Sequence, residues 1–310
     1  MLPRIAAIAF NTYREAVRAW VLHGLLALAL ATTAYSLVLG TLSLHQDMRV
    51  VADIGSSSAS FFAVVVAVVL GATSLYREVE MKNVFPILTR RLRRHEYVVG
   101  KYLGMLLTVG VYLALDGAFM LFILAAQARR PPLLVGGAAV VLFAVLAVLL
   151  VRAKYTRAYV IVPWALVAVL VAFVLAAPAG GERRLVVSSL VLAFGEAGIV
   201  TAVALVFSAF SSPFLTAVLT FLVFLIGRSA DTLANLPPRF LGEGGRTAGR
   251  VLARVFPNLH MYVPPRPVLL GEVDKLPLLP YVGRAMAIAG FYAAVLLVAA
   301  SLIFRKRDFQ

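Results

Sequence analysis

Long apolar stretches separated by short polar ones make up most of the chain from residue 20 onward. A helix needs about 20 predominantly apolar residues to cross a bilayer, and only a helix satisfies its own backbone hydrogen bonds in lipid. The pattern therefore predicts an all-α, polytopic membrane fold with eight spans. They are Trp20–Leu42, Ser57–Tyr76, Tyr102–Ala126, Leu133–Val151, Ala158–Ala177, Leu185–Phe210, Pro213–Arg228 and Val282–Phe304. The span that begins at Pro213 is short, and it could tilt or extend to Asp231.

Composition supports the same fold class. Hydrophobic residues make up 62% of the 310 residues, charged residues 14%, and the mean hydropathy is +0.95. A soluble domain is about half apolar and a quarter charged, so this chain has too little polar surface to cover a water-facing fold. The absence of cysteine excludes disulfides, iron–sulfur clusters and thiolate metal sites.

The net charge of +15 lies mainly in short loops. Loops on the side of both termini hold sixteen basic residues and the short opposite loops hold five. By the positive-inside rule this predicts cytoplasmic termini, with the basic loops held against anionic lipid headgroups. No basic helix or RNA-binding motif accompanies the charge, so nucleic acid is not an expected partner.

Residues 1–19 predict an amphipathic helix in the cytoplasmic interface. Its polar residues Arg4, Asn11, Glu15 and Arg18 fall on one face, and apolar residues such as Ile8 fall near the other. The alternative is a frayed start of the first span. No cleavable signal peptide is predicted, because the segment is too polar.

Residues 229–281 form the one long extracytoplasmic loop in this topology. Seven prolines break it into turns. The stretch GGRTAGRVLARVF within it predicts an interfacial helix with a stripe of arginines, Arg246, Arg250 and Arg254.

Residues 77–101 form a cytoplasmic segment that combines charge with an apolar patch. Glu78 and Glu80 open it, Val84 and Phe85 lie in its middle, and four arginines follow. Charge around an apolar knob, on two short helices, suits docking into a cleft on a soluble partner. The charge alone is equally explained by the positive-inside rule.

The same segment resembles the coupling region of ABC-2-type permeases, the membrane subunits of ATP-driven exporters. That family shows an acidic pair, a Pro-Leu-Leu stretch, a Pro-x-Ser-Arg turn and an aromatic run that ends in Gly-Lys. The similar residues here are Glu78, Glu80, Pro86-Ile87-Leu88, Arg94, Glu96-Tyr97 and Gly100-Lys101. AFNTYREAVR near the N-terminus, the SSPF turn and the FRKRDF end also resemble the family.

Two features differ from the family pattern. Arg91 stands where the turn proline is usual. The family has six spans, and residues 127–184 add a helix pair, the inserted pair, between the third and fourth. The expected fold is therefore a six-helix core with an inserted pair, in one permease domain.

The resemblance implies a permease that works with a separate ATPase. Two ATPase subunits would bind ATP and magnesium, and a second copy of this chain would complete a homodimer in the bacterial cytoplasmic (inner) membrane; a heterodimer is the alternative. No G-x-x-x-x-G-K-S/T loop occurs, so no cofactor and no enzymatic activity are expected of this chain alone. The expected ATPase-coupling residues are Glu78, Glu80, Val84, Phe85, Pro86, Arg94, Glu96, Tyr97, Lys101, Arg14 and Glu15.

Two acids, Asp116 and Glu196, lie inside predicted spans. A central acid costs about 2.5–3.5 kcal/mol on insertion scales, so each is expected to face protein, water or a partner. One interpretation places them on a translocation path or a helix seam. The other is a protonated carboxyl bonded to a neighbour such as Ser188, Ser189 or Thr201. Small residues around Glu196, and Gly136 with Gly137, predict close helix packing.

Two other function classes stay open from the sequence. One is a membrane enzyme that processes lipid or glycan, although no catalytic motif is present. The other is a proton-coupled carrier that uses Asp116 and Glu196. His45 and Met48, with His260 and Met261, could share one surface, but nothing fixes their distance and no metal site is predicted.

Overall fold

The structure is a computed structural model of the chain, and most of the part it describes is helical. It describes residues 2–43, 47–80, 94–128, 130–153, 156–235, 256–264 and 278–306, together with residues 247, 249 and 251. No β-strand occurs among them. The helices are α1 Leu2–Val17, α2 Trp20–Thr41, α3 Asp47–Glu80, α4 Arg94–Gln127, α5 Pro132–Arg152, α6 Arg157–Leu175, α7 Gly181–Ser208, α8 Pro213–Arg228, α9 Ala230–Ala234 and α10 Leu278–Lys306.

Seven of the described helices are long and apolar enough to cross a membrane: α2 to α7 and α10. These helices support a multi-pass membrane protein. The predicted span Pro213–Arg228 is present as α8, but it has 16 residues and is shorter than a span requires. Ser212 caps this helix, accepting a hydrogen bond from the backbone N–H of Leu215, and Pro213 occupies its first position.

α7 and α4 form the centre of the bundle, since 78% and 72% of their apolar stretches are buried. α3 packs on α7, α2 packs on α3, and α10 and α8 pack on α7. Gly71 of α3 lies against Ala204 of α7 so closely that an added Cβ would overlap the alanine methyl group. Small residues thus bring these two helices into direct backbone contact.

The inserted pair consists of α5 and α6 and lies at the edge of the bundle. α6 packs on α4, whereas only 11% of the apolar stretch of α5 is buried. The packing predicted for Gly136 and Gly137 is wrong, because no heavy atom lies within 4 Å of a Cβ built on either. Both glycines face outward on a helix whose apolar surface lies outside the core.

α1 is a separate helix, as predicted, and it ends before Arg18 and Ala19. Its buried residues are Ala9, Thr12, Tyr13 and Ala16. This face packs on α4. One face of α1 therefore contacts protein, and its predicted position in the cytoplasmic interface stays a prediction.

Candidate functional site

Glu196 is fully buried in the middle of α7 and joins three helices. Ser60 of α3 donates a hydrogen bond from Oγ to Oε2 of Glu196 over 2.7 Å. Arg228, the last residue of α8, donates from Nη1 to Oε1 over 2.5 Å and forms a salt bridge with it. A buried carboxylate is tolerated in such a place when it is paired and hydrogen-bonded.

These partners differ from those predicted. Ser189 donates to the carbonyl of Leu185, and Thr201 donates to the carbonyl of Ala197, so both hydroxyls are satisfied within α7. The sequence did not predict that Arg228 would contact Glu196. The one feature that could have indicated this contact was an arginine at the end of an unusually short apolar helix.

The short length of α8 lets a non-helical segment enter the bundle. Residues 256–264 lie over its end, where the backbone N–H of Leu259 donates to the carbonyl of Gly227 over 3.0 Å. Tyr262 donates from its hydroxyl to the carbonyl of Ala285 in α10, also over 3.0 Å. Leu259 and Tyr262 are buried. Irregular backbone at this depth is stable because protein surrounds it.

Glycine is required where this segment meets the helices. A Cβ on Gly227 would lie 2.7 Å from the carbonyl oxygen of Pro257, and one on Gly195 would lie 3.0 Å from the ring of Tyr262. Both neighbours belong to residues 256–264. A side chain at Gly227 would overlap the backbone of this segment, and one at Gly195 would crowd the ring of Tyr262.

A second charged cluster lies near the first turns of α3 and α7. The guanidinium of Arg49 interacts electrostatically with the carboxyls of Asp53 and Glu182. Oδ1 of Asp53, Oε2 of Glu182 and both Nε and Nη2 of Arg49 are buried and have no hydrogen-bond partner among the described residues. Buried polar atoms of this kind ordinarily bind water, an ion or a ligand.

A small cavity of about 70 Å³, which we call the serine cavity, connects the two groups of charges. It is lined by Asp53, Ser56, Ser57 and Ser60 of α3, Ser189 of α7, Arg228 of α8 and residues 262–264. Polar side chains from three helices and one loop thus converge in an otherwise apolar bundle.

Asp116 occupies a different place. It is fully buried on α4, and Thr33 of α2 donates to its Oδ1 over 3.1 Å. Its Oδ2 and the hydroxyl of Tyr112 have no hydrogen-bond partner among the described residues. The two intramembrane acids therefore have separate surroundings, Asp116 between α2 and α4 and Glu196 among α3, α7 and α8.

The structure shortens the predicted 77–101 loop. Residues 77–80 continue α3, and residues 94–101 begin α4. Glu78, Glu80 and Arg94 belong to these helices, and their side chains are outside the description; Val84, Phe85 and Pro86 lie outside the described residues altogether.

Three predicted coupling residues are buried within the chain itself. Glu96, Tyr97 and Lys101 are 1%, 3% and 1% exposed. The ring of Tyr97 stacks on Phe304 of α10 with centroids 6.0 Å apart, and Nζ of Lys101 lies 5.5 Å from the Tyr97 ring centroid. Tyr97 thus packs α4 on α10, and the positions of all three residues on α4 turn their side chains toward the core.

α1 joins the start of α4 to the start of α6. A Cβ on Gly104 would lie 2.4 Å from the carbonyl oxygen of Ala9, so the two helices are in backbone contact. Tyr13 donates from its hydroxyl to the carbonyl of Ala158 over 2.9 Å. Burial raises the pKa of Tyr13 to about 12, further above neutral pH than that of an ordinary tyrosine. Arg14 is half-buried and Glu15 is exposed.

The three arginines of the predicted stripe lie outside the described residues. Within the same stretch, Thr247, Gly249 and Val251 are helical. His45 also lies outside them, and the described residues contain no group of three His, Asp or Glu side chains suited to a metal ion.

No protein-family model matches the chain, and no curated protein matches its sequence. The function has to be argued from the residues and the geometry.

Proposed function

We propose that the chain is the transmembrane permease subunit of an ABC-2-type exporter. The observation that carries this proposal is the form of α3, which is one continuous helix from Asp47 to Glu80. Its first half lines the serine cavity, and its last turns, with Glu78 and Glu80, open the segment 77–101 that resembles the family's coupling region. A helix of 34 residues is about 51 Å long, so it connects the polar site to the opposite end of the bundle.

α4 leaves the same segment and supports the same mechanism. It begins at Arg94, contacts α1 through Gly100 and Gly104, and continues to Gln127. A force applied at residues 81–93 would therefore act on α3, α4 and α1 together. ATP can drive such a movement only if the ATPase dimer binds it with different affinity in the two conformations.

The partners and the topology in this proposal are those that the resemblance to ABC-2-type permeases implies. Two ATPase subunits supply ATP and magnesium binding, a second copy of this chain completes the path, and both termini lie in the bacterial cytoplasm. The chain itself is no enzyme. Exposed apolar faces on α2, α5 and α10 leave surface for lipid and for a second copy.

Copurification tests the proposal directly. We expect the tagged chain to bind a Walker-A ATPase subunit from a neighbouring reading frame, and we expect Phe85→Asp to abolish the complex, because a charge replaces an apolar anchor. Leu42→Asp, which puts the same charge on an exposed apolar residue directly after α2, is the control and should leave the complex intact. Recovery of the chain without any ATPase would contradict the proposal.

The two intramembrane acids give a separate prediction. Asp116→Ala and Glu196→Ala should retain the ATPase complex and fail to complement a strain deleted for the chain, because each removes a polar contact between spans. Ser58→Ala, on α3 but outside the serine cavity, is the control and should complement. Full complementation by both acid variants would exclude these residues from the path.

A proton-coupled carrier is the second candidate, and Asp116 is the observation that favours it. A buried carboxyl with one partnered oxygen beside the Tyr112 hydroxyl is a group that can change protonation in a transport cycle. Transport driven by a proton gradient without ATP would support the carrier and exclude the exporter.

A further inference from the structure

The walls of the serine cavity accept hydrogen bonds. Ser56 donates from Oγ to the carbonyl of Ala52 over 2.6 Å, and Ser189 donates to the carbonyl of Leu185 over 2.8 Å. Ser60 donates to Glu196. A hydroxyl has a single proton, so once it donates, its lone pairs are what remains for a ligand.

Asp53 is the one carboxyl that lines the cavity, and Arg228 is the one guanidinium. Arg228 is paired with Glu196, whereas Asp53 shares Arg49 with Glu182. Arg183 is turned away, because its guanidinium lies 4.6 Å from the ring of Phe173 on α6. Oδ1 of Asp53 remains a buried acceptor without a hydrogen-bond partner among the described residues.

We propose that the serine cavity binds a primary ammonium group. Such a group carries three N–H donors and one positive charge, which match the carboxylate of Asp53 and the serine oxygens. Tyr262 also lines the cavity, and an aromatic face attracts a cation.

The cavity is small, with a volume of about 70 Å³, which is enough for a small polar group. A quaternary ammonium group is bulkier and has no N–H donor. A divalent metal ion ordinarily takes six or more oxygen ligands, several of them carboxylates, whereas one carboxylate lines this cavity.

This inference is independent of the proposed exporter function, because it requires no ATPase. The ammonium group has two possible sources, a soluble amine or the headgroup of an aminophospholipid.

The test uses the full chain, purified and reconstituted in nanodiscs of phosphatidylcholine and phosphatidylglycerol, which contain no primary ammonium group. Ethylammonium chloride is titrated while thermal unfolding is measured, with ethanol and tetramethylammonium chloride as the neutral and quaternary comparisons. We expect a saturable rise in Tm with ethylammonium and none with the other two.

Asp53→Asn should weaken the apparent affinity for ethylammonium roughly tenfold or more, because a hydrogen bond to a charged group is lost. Asp47→Asn is the matched control: Asp47 is exposed in the first turn of the same helix and should leave the affinity unchanged. Equal binding by Asp53→Asn and the wild type would overturn the proposal, as would the absence of saturation or an equal response to tetramethylammonium.

A second pair of variants keeps the test decisive if Asp53→Asn does not fold. Ser57→Ala, which alters the cavity wall, should bind ethylammonium several-fold more weakly, and Ser58→Ala, next to it but outside the cavity, should bind normally. Identical affinities in these two variants would contradict the proposal.

Adding phosphatidylethanolamine to the nanodiscs then distinguishes the sources. Loss of ethylammonium binding identifies a lipid headgroup as the ligand, and unchanged binding identifies a soluble amine.

Discussion

Replacing Arg228 with glutamine is expected to destabilise the protein by about 3 kcal/mol. Removal of one partner of a buried ion pair leaves the other charge uncompensated, at a cost of about 3–5 kcal/mol. The lower end applies because the Arg228 side chain is 32% exposed, whereas Glu196 is fully buried. The measurement is the midpoint of SDS-induced unfolding in detergent.

The double variant Glu196→Gln with Arg228→Gln isolates the ion pair from other effects. Removing both charges should recover about 1–3 kcal/mol of the loss, because no unpaired charge remains. Arg184→Gln, an exposed arginine in the first turn of α7, is the control and should unfold like the wild type. A double variant that is no more stable than Arg228→Gln would show that the pair is not coupled.

Gly104→Leu is expected to detach α1 from α4. An added Cβ would lie 2.4 Å from the carbonyl oxygen of Ala9 and 2.6 Å from Cβ of Thr12, and helix backbone cannot move aside locally. Overpacking of this kind costs about 1–3 kcal/mol. Since the chain contains no cysteine, a single Thr12→Cys substitution reports on the contact through maleimide labelling.

The buried cysteine at position 12 should react roughly tenfold faster in the Gly104→Leu background, which corresponds to about 1.4 kcal/mol of local opening. Gly137→Leu provides the matched control, because no heavy atom lies within 4 Å of its added Cβ. Equal labelling rates in the two backgrounds would mean that α1 is not held by this contact.

The sequence predicted the helices well because their signal is local. Apolar length alone located the long spans, and amphipathic spacing identified α1 as a separate helix. The exception is α8, whose 16 residues fit neither a span nor a loop. The short length of α8 is explained by residues 256–264, which are distant in the sequence and fill the space at the end of this helix.

The contacts of Glu196 show what the sequence could not supply. Its partners Ser60 and Arg228 lie 136 and 32 residues away, and only the packing of α3, α7 and α8 brings them together. Sequence reasoning therefore chose nearby serine and threonine residues, whose hydroxyls bind their own helix. The acid itself was recognisable because a carboxyl in an apolar stretch always requires a partner.

Charge and small side chains were less informative about which way a helix face points. Glu96 and Lys101 are predicted coupling residues, yet their positions on α4 place both in the core. Gly136 and Gly137 read as a packing site but lie on an outward face of α5. In each case the residue type is visible in the sequence, whereas the direction in which a helix face points is a tertiary property.

The most direct test asks whether ATP binding by the ATPase partner, docked at residues 81–93, changes the accessibility of the serine cavity. Ser57, an exposed residue on α3, lies about 35 Å along that helix from Glu80. In nanodiscs that hold the chain with its ATPase partner, maleimide labelling of Ser57→Cys is measured with and without ATP. The proposed exporter predicts that ATP changes the labelling rate several-fold and that Phe85→Asp abolishes the change. A rate that ATP leaves unaltered in an intact complex would contradict the account.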